Sequence, residues 1–343
     1  MLAQTDGSFW MPTAGSTAAE EVDLLFDVIF WISAFFFTLI VALMVLFIIR
    51  YRRRVGRKAE KMATHNLALE ITWSIIPLIL VIVIFYVGMK SFLAMATPPE
   101  DAYRIDVEGQ KWSWMFIYPN GHVDSELHVP VDTDVQLTLT SLDVIHSFYI
   151  PAFRLKRDAV PGRYSKMYFR ATQAGEYTVF CAEYCGTGHS DMLSTCVVHP
   201  PGEFELWLES ADPLKKLTDE QYQAYLTDPD AFIAANPEIK GLETPVDIGR
   251  KLYTKKGCAQ CHSVDGSAAT GPTFKGVFGK SHQMTGGSMV VADENYIRES
   301  MLNPNANVVA GYQAVMPTYQ GRLKDREITA LVAYIRSLGD EGD

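Results

Sequence analysis

The chain has 343 residues, enough for two or three domains at roughly 100–200 residues each. With 48% hydrophobic and 20% charged residues it is neither a collagen-like fibre nor a chain with long disordered tails. A net charge of −10 argues against a protein that coats nucleic acid, since phosphate binding needs an excess of Lys and Arg.

The first ninety residues are strongly apolar and the remainder reads as soluble protein. No charged side chain occurs from Val28 to Ile49, and a helix needs about 20 apolar residues to cross about 30 Å of hydrocarbon. A second run, Ile71 to Met89, is just long enough; its Pro77 is a kink that membrane spans tolerate. Runs this long and charge-free are rare in soluble cores, so residues 24–95 predict a transmembrane helical hairpin with spans at 28–49 and 71–89.

The loop between the spans carries Arg50, Arg52, Arg53, Arg54, Arg57, Lys58 and Lys61. The segment before Val28 has no Lys or Arg and carries Asp6, Glu20, Glu21, Asp23 and Asp27. The positive-inside rule puts the loop in the cytoplasm, and residues 1–23 and everything after Met95 outside. The first run is too long for a signal-peptide core and lacks a basic leader, so it reads as a retained span. Glu70 stands at the cytoplasmic mouth of the second span. It reads either as an interfacial carboxylate in water or as a group on a proton route.

Residues 103–205 alternate in short segments such as VQLTLTSL and GEYTVFCAEY, punctuated by Gly, Pro, Asn and Asp, which predicts an all-β sandwich or barrel. Residues 206–244 are charged, hold several prolines and read as a linker with short helices. Residues 245–340 are helical, in PVDIGRKLYTKKG, NYIRESMLN and DREITALVAYIRSL.

Directly after a predicted strand, Cys181, Cys185, His189 and Met192 fall within twelve residues. Soft sulfur with imidazole favours copper or zinc, and a single-copper electron-transfer site uses one Cys, two His and a weak axial Met. Two Cys are what a pair of coppers bridged by both sulfurs needs; His146, in LDVIHSFYIP, is the candidate second imidazole. A Cys181–Cys185 disulfide and a Cys2His2 zinc site also satisfy the residue types, but neither gives Met192 or Glu183 a part. Cys196 has no partner at ligand spacing and reads as a buried thiol.

This stretch resembles the dinuclear copper (CuA) loop of cytochrome c oxidase subunit II, and so do the two spans, DVIHSFYIPAFRLKRDAVPGR and GQKWSWMFIYPNG. The resemblance covers Leu24 to Glu205 and implies a cupredoxin-like β-sandwich. It implies copper ligands His146, Cys181, Cys185, His189 and Met192 with the backbone carbonyl of Glu183, whose side chain would bind a Mg or Mn ion at the boundary with subunit I. It also implies that electrons enter the copper pair at Trp112, and that Glu70 lies at a proton-channel mouth. Ser113 departs from the Tyr that the family often has between the two tryptophans. By pattern alone, Trp112, Trp114, Phe116 and Tyr118 alternate as packing residues of a strand.

Cys258-Ala-Gln-Cys261-His262 has the spacing of covalent c-type haem attachment; zinc sites and thioredoxin-like pairs share such spacing, but the βαβ pattern of the latter is absent. The best sixth ligand is Met316, in a loop before the last amphipathic helix, with Met284, Met289, Met301 and His282 as rivals by chemistry alone. This region resembles class I cytochrome c, where a Met-Pro pair supplies the distal ligand and a segment like GPTFKGVFGK lines the haem edge. The copper region has 8 Lys and Arg against 13 Asp and Glu, and the haem region 11 against 8; net charges of −5 and +3 favour docking of one on the other.

The expected protein is an oxidase subunit of the bacterial cytoplasmic membrane that takes electrons at haem c and passes them through the copper pair to subunit I, where oxygen is reduced and protons are pumped. Expected partners are subunits I and III, the lipid bilayer, and an external donor such as a soluble cytochrome c or a quinol–cytochrome c reductase. The alternatives are the electron-accepting subunit of a copper-containing nitric oxide reductase and a membrane-anchored electron carrier.

Overall fold

The computed structural model describes residues 7–56 and 65–339. Asp6, Arg57, Lys58, Lys61 and Asp340 lie outside the described residues.

Two long helices open the chain, α1 (Thr17–Tyr51) and α2 (Leu67–Ala96). Both outrun the predicted spans, because a helix continues past the hydrocarbon edge wherever flanking residues can dock or be capped. Asn66 caps α2 by accepting from the Leu69 N–H at 3.2 Å. The start of α1 docks on the β domain: Arg154 donates from Nε and Nη2 to the Asp23 carboxylate at 2.8 Å each. The Gly15 N–H reaches the Ala152 carbonyl at 2.9 Å. No residue in the apolar window of either helix is buried, as suits faces meant for lipid or for other membrane helices. Arg50, Arg52, Arg53 and Arg54 lie at the other end of α1 from the β domain.

Ten strands follow: β1 (Tyr103–Gln110), β2 (Ser113–Ile117), β3 (Val123–Asp124), β4 (Leu127–Pro130), β5 (Asp134–Ser141), β6 (His146–Ile150), β7 (Leu155–Ala159), β8 (Ser165–Arg170), β9 (Gly175–Cys181) and β10 (Leu193–His199). They form two five-stranded sheets, ordered β3-β2-β1-β5-β8 and β4-β10-β9-β6-β7. β1 runs parallel to β5, with Ile105 opposite Leu137, and β10 parallel to β4; the other pairings are antiparallel. Trp114, Phe116, Tyr118, Phe148 and Val179 fill the sandwich core. Cys196 is completely buried there, and burial pushes its thiol far above the ordinary range.

Three short helices, α3 (Glu203–Ser210), α4 (Asp219–Thr227) and α5 (Pro229–Ala235), lead to α6 (Pro245–Lys255). A small hairpin of β11 (Ser281–Gln283) and β12 (Met289–Val291) precedes α7 (Glu294–Leu302) and α8 (Asp325–Ser337). α6 crosses α8 at Gly249, where a Cβ would lie 2.1 Å from the Ala330 carbonyl oxygen, so no larger residue fits.

Residues 206–244 are not a loose tether. Leu214, Leu217, Tyr222, Tyr225 and Leu242 are buried in one cluster with Ile248, Leu252, Leu331 and Ile335. Arg326 holds the connector by donating to the carbonyls of Leu214 at 2.8 Å and Leu217 at 2.6 Å. The start of the connector packs on the sandwich through Trp207 and Leu208, and its later apolar residues find cover on the helical domain. Met115 and Val123 of the sandwich belong to the same cluster, so the two domains share a core.

Polar contacts seal the joint. The Ser125 N–H donates to Lys255 O at 2.7 Å, and the buried Lys256 ammonium donates to Val123 O at 2.6 Å while pairing with Glu327 at 3.1 Å. Arg322 bonds Glu108 at 2.5 Å and Gln110 at 3.1 Å. Arg322 with Glu108 is thus an ion pair between the two oppositely charged regions.

Candidate functional site

β9 ends at Cys181 and the chain turns through Cys185 and His189 to Met192, which leads into β10. β6 begins at His146 and pairs with β9, Phe148 standing opposite Cys181, so the sheet register brings the imidazole to the loop. The two sulfurs lie 3.8 Å apart, far beyond a covalent S–S bond of about 2.05 Å. Both are free thiols. His146 Nδ1 lies 3.9 Å from Cys181 Sγ, His189 Nδ1 3.6 Å from Cys185 Sγ, and Met192 Sδ 3.8 Å from Cys185 Sγ. The Glu183 carbonyl is 3.3 Å from Cys181 Sγ. All six sequence-predicted groups thus converge, with His146 and Met192 fully buried. The Glu183 side chain faces outward and is exposed.

The electrostatics favour a charged sulfur. Burial opposes the thiolate at Cys181, but bonds from His146 and the neighbouring backbone outweigh it and hold this thiol below its usual range. Burial and the adjacent Cys181 push Cys185 the other way. Asp143, missed at the sequence level, orients the imidazole. Its carboxylate accepts from His146 Nε2 at 2.9 Å, which leaves Nδ1 toward the sulfurs. Although burial opposes it, that bond and two backbone N–H donors hold the Asp143 carboxyl at about 2.

Asp143 also accepts the Lys111 N–H at 2.8 Å, at the turn between β1 and β2. A cis peptide links Lys111 to Trp112. The Trp112 indole N–H donates to Cys185 O at 3.3 Å, and the ring lies over Gly186 and Gly188. A Cβ on Gly188 would come within 2.6 Å of the indole, so this glycine is needed for the approach. The Gly-Thr-Gly between Cys185 and His189 was the available sequence signal. Trp114, Phe116 and Tyr118 are core residues, as their alternation indicates; Trp112 alone sits outside, half-buried.

The same turn borders a second site. Lys111, Trp112 and Ser113 join Cys258, Cys261, His262 and Met316 around a largely apolar cleft of about 1410 Å³, counting its open mouth. A one-turn 3-10 segment, Cys258–Gln260, follows α6 and presents both cysteines. His262 Nδ1 lies 2.7 Å from the Pro272 carbonyl, which can only accept, so Nδ1 carries the proton and Nε2 keeps the free lone pair. Gly271 makes room for the ring: a Cβ there would meet His262 at 2.6 Å. Of the rival sixth ligands, Met301 and His282 also line the cleft, whereas Met284 and Met289 do not. Met301 is buried within α7 and Met289 is exposed.

Glu70 lies in the first turn of α2, remote from both sites; it accepts the Asn66 N–H at 3.2 Å and has His65 at 3.5 Å.

Comparison with known proteins agrees across the chain. The family models for the transmembrane domain and the periplasmic domain of cytochrome c oxidase subunit II match residues 4–92 and 118–198, and that for cytochrome c matches residues 246–339. Cytochrome c oxidase subunit 2 of Thermostichus vulcanus is 34% identical over 262 residues, covering 58% of this chain and 80% of the relative. That of Alkalihalophilus pseudofirmus is 31% identical over 314 residues, covering 87% and 82%. The periplasmic domain of subunit II of cytochrome oxidase (CoxB) of Bradyrhizobium japonicum is 32% identical, covering 34% of this chain and 97% of that one, with a TM-score of 0.32. With two apolar helices, a β-sandwich and a helical C-terminal region in the matching order, the chain belongs to the cytochrome c oxidase subunit II family, in a form that carries its own C-terminal cytochrome c domain.

Proposed function

We propose that this chain receives electrons at a haem c bound through Cys258 and Cys261 and delivers them, by way of a dinuclear copper centre, to subunit I of a proton-pumping cytochrome c oxidase. Membership of the family makes the chain a membrane-anchored subunit of a haem-copper oxidoreductase that associates with subunit I. The residues fit both groups. Two free thiols 3.8 Å apart, two imidazoles, a thioether and a backbone carbonyl form a soft donor set with enough sulfur for a shared metal pair. The cleft offers two cysteines, a histidine with a free Nε2 and Met316 on one apolar wall system. When bound, the two groups supply the one-electron redox chemistry that carries charge inward, while oxygen reduction belongs to subunit I.

The remaining work falls to this chain's own residues. Asp143 and Pro272 fix the tautomers of His146 and His262, so each presents one lone pair to its site. Buried apolar side chains keep water from the sulfurs. The exposed Glu183 carboxylate is available to a Mg or Mn ion at the contact with subunit I. Glu70 is our candidate for the mouth of a proton route. Subunit III and an external donor complete the assembly, in a bacterial cytoplasmic membrane.

The observation that carries this reading is the position of Trp112, whose indole bonds the Cys185 carbonyl while lining the cleft that contains Cys258, Cys261 and His262. Its test is spectroscopic. The purified complex should show a low-spin haem c band, a mixed-valence copper EPR signal and oxygen consumption. Zinc as the sole metal at the two-sulfur site, or reduction of nitric oxide without that of oxygen, would overturn it.

A further inference from the structure

A second convergence of metal-ligating groups lies away from both redox sites, on the joint between the domains. The ligand atoms of Asp124, Glu126 and His128 all lie within 4.8 Å of one another. Asp124 ends β3 and is completely buried; Glu126 follows in the turn and is about half exposed. His128, on β4, is only 6% exposed. Its ring is clamped against Trp207, centroids 3.9 Å apart, and its Nδ1 is 2.9 Å from His199 Nε2. Its Nε2 has no hydrogen-bond partner among the described residues and points at the Glu126 carboxylate, 3.8 Å away. A buried nitrogen left without a partner costs stability unless something binds it.

The surroundings define what could bind. Asp124 Oδ2 lies 3.4 Å from His122 Nε2 and 3.4 Å from the Lys255 ammonium, and Oδ1 accepts the Glu126 N–H at 3.2 Å. Lys255, at the end of α6, is three residues before Cys258. The turn that carries the triad is bonded to this helix end through Ser125, which reaches the Lys255 and Thr254 carbonyls. Two carboxylates and one imidazole suit Zn2+, whereas Mg2+ and Ca2+ take oxygen-only sites.

We propose that Asp124, Glu126 and His128 form a Zn2+ site on the joint between the sandwich and the cytochrome c domain, in which the cation takes the place of the Lys255 ammonium on Asp124. A divalent ion and an ammonium cannot share one buried carboxylate at contact distance without strong repulsion. Zn2+ therefore frees Lys255 and loosens the exposed rim of the joint, while the Lys256 bond to Val123 persists. The inference does not depend on how the redox sites are filled.

The test is equilibrium dialysis of Zn2+ against the purified complex with both redox centres loaded, Mg2+ being present in excess. Glu126→Gln and His128→Gln should each remove one Zn2+ per complex or weaken it at least about tenfold, as loss of a ligand does. Lys255→Gln should tighten the same site at least about tenfold, because a competing cation is gone. Glu126 is half exposed, so its variant keeps the test decisive if His128→Gln misfolds; unaltered haem and copper spectra in Glu126→Gln show that the fold is kept. Zn2+ stoichiometry and affinity unchanged in both Glu126→Gln and Lys255→Gln would overturn the proposal.

Discussion

Trp112 donates its indole N–H to the carbonyl of Cys185 at 3.3 Å, and the same ring walls the cleft that contains Cys258. A single side chain of the sandwich therefore touches the loop of the two-sulfur site and the cavity of the C-terminal domain. Replacing it by Ala should leave both cofactors bound and slow haem-to-copper transfer about tenfold or more, as misplacement of a bridging group does. Flash-induced electron-transfer kinetics measure this; an unchanged rate would remove Trp112 from the path.

Gly188→Ala tests the same contact from the other side. The new Cβ would meet the indole at 2.6 Å, and neither the loop nor the ring can yield without moving. An overpacked site of this kind costs about 1–3 kcal/mol. Thermal unfolding should register that loss, and the tryptophan emission should shift as the ring is displaced.

The two candidate cofactor sites are built from separate segments, and their losses should be separable. Cys181→Ser or Cys185→Ser should abolish the copper EPR signal while leaving the haem band, since neither cysteine lines the cleft. His262→Ala should change the haem spectrum and spare the copper. Loss of both signals in either variant would show that the sites fold as one unit.

Lys256 and Glu327 form a buried pair at 3.1 Å beneath the joint, and Lys256 also holds Val123 O. Lys256→Met leaves the Glu327 carboxylate buried without its cation, at a cost of about 3 kcal/mol. Adding Glu327→Leu should recover much of that loss, as replacing a whole buried pair does. With the pair intact, electron transfer between the sites should be independent of protein concentration and survive moderate salt, because buried contacts are little screened.

Asp134 accepts hydrogen bonds from the Arg170 guanidinium and, at 2.7 Å, from the Tyr168 hydroxyl; Arg170 first, then Tyr168, hold its carboxyl below the ordinary value despite some burial. A carboxyl lowered in the folded state stabilises above its unfolded pKa, and that contribution fades as pH falls through the folded value. Asp134→Asn should therefore cost about 1 kcal/mol near neutral pH. The difference from the parent should shrink as the pH is lowered through and below the ordinary carboxylate range, which denaturant titrations at several pH values would show.

Local spacing was enough to read much of this protein. Membrane spans are legible because hydrocarbon thickness sets their length, and Pro77 alone does not break the pattern. Cys181, Cys185, His189 and Met192 are legible because they sit on one loop, as Cys258, Cys261 and His262 sit on one turn. His146 was recoverable only because a sheet must return some strand to that loop.

What the tertiary structure alone decided joins segments far apart in the chain. Asp143 ties His146 to the Lys111 turn; Pro272 fixes the His262 tautomer; Met115 and Val123 enter the core of the C-terminal domain. The connector illustrates the reason. Its charges and prolines describe a chain that water can solvate, but burial of Tyr225 and Leu242 depends on which surface lies within reach, and that follows from the packing of α6 on α8. Composition states what a segment can tolerate; only the assembled surfaces determine what covers it.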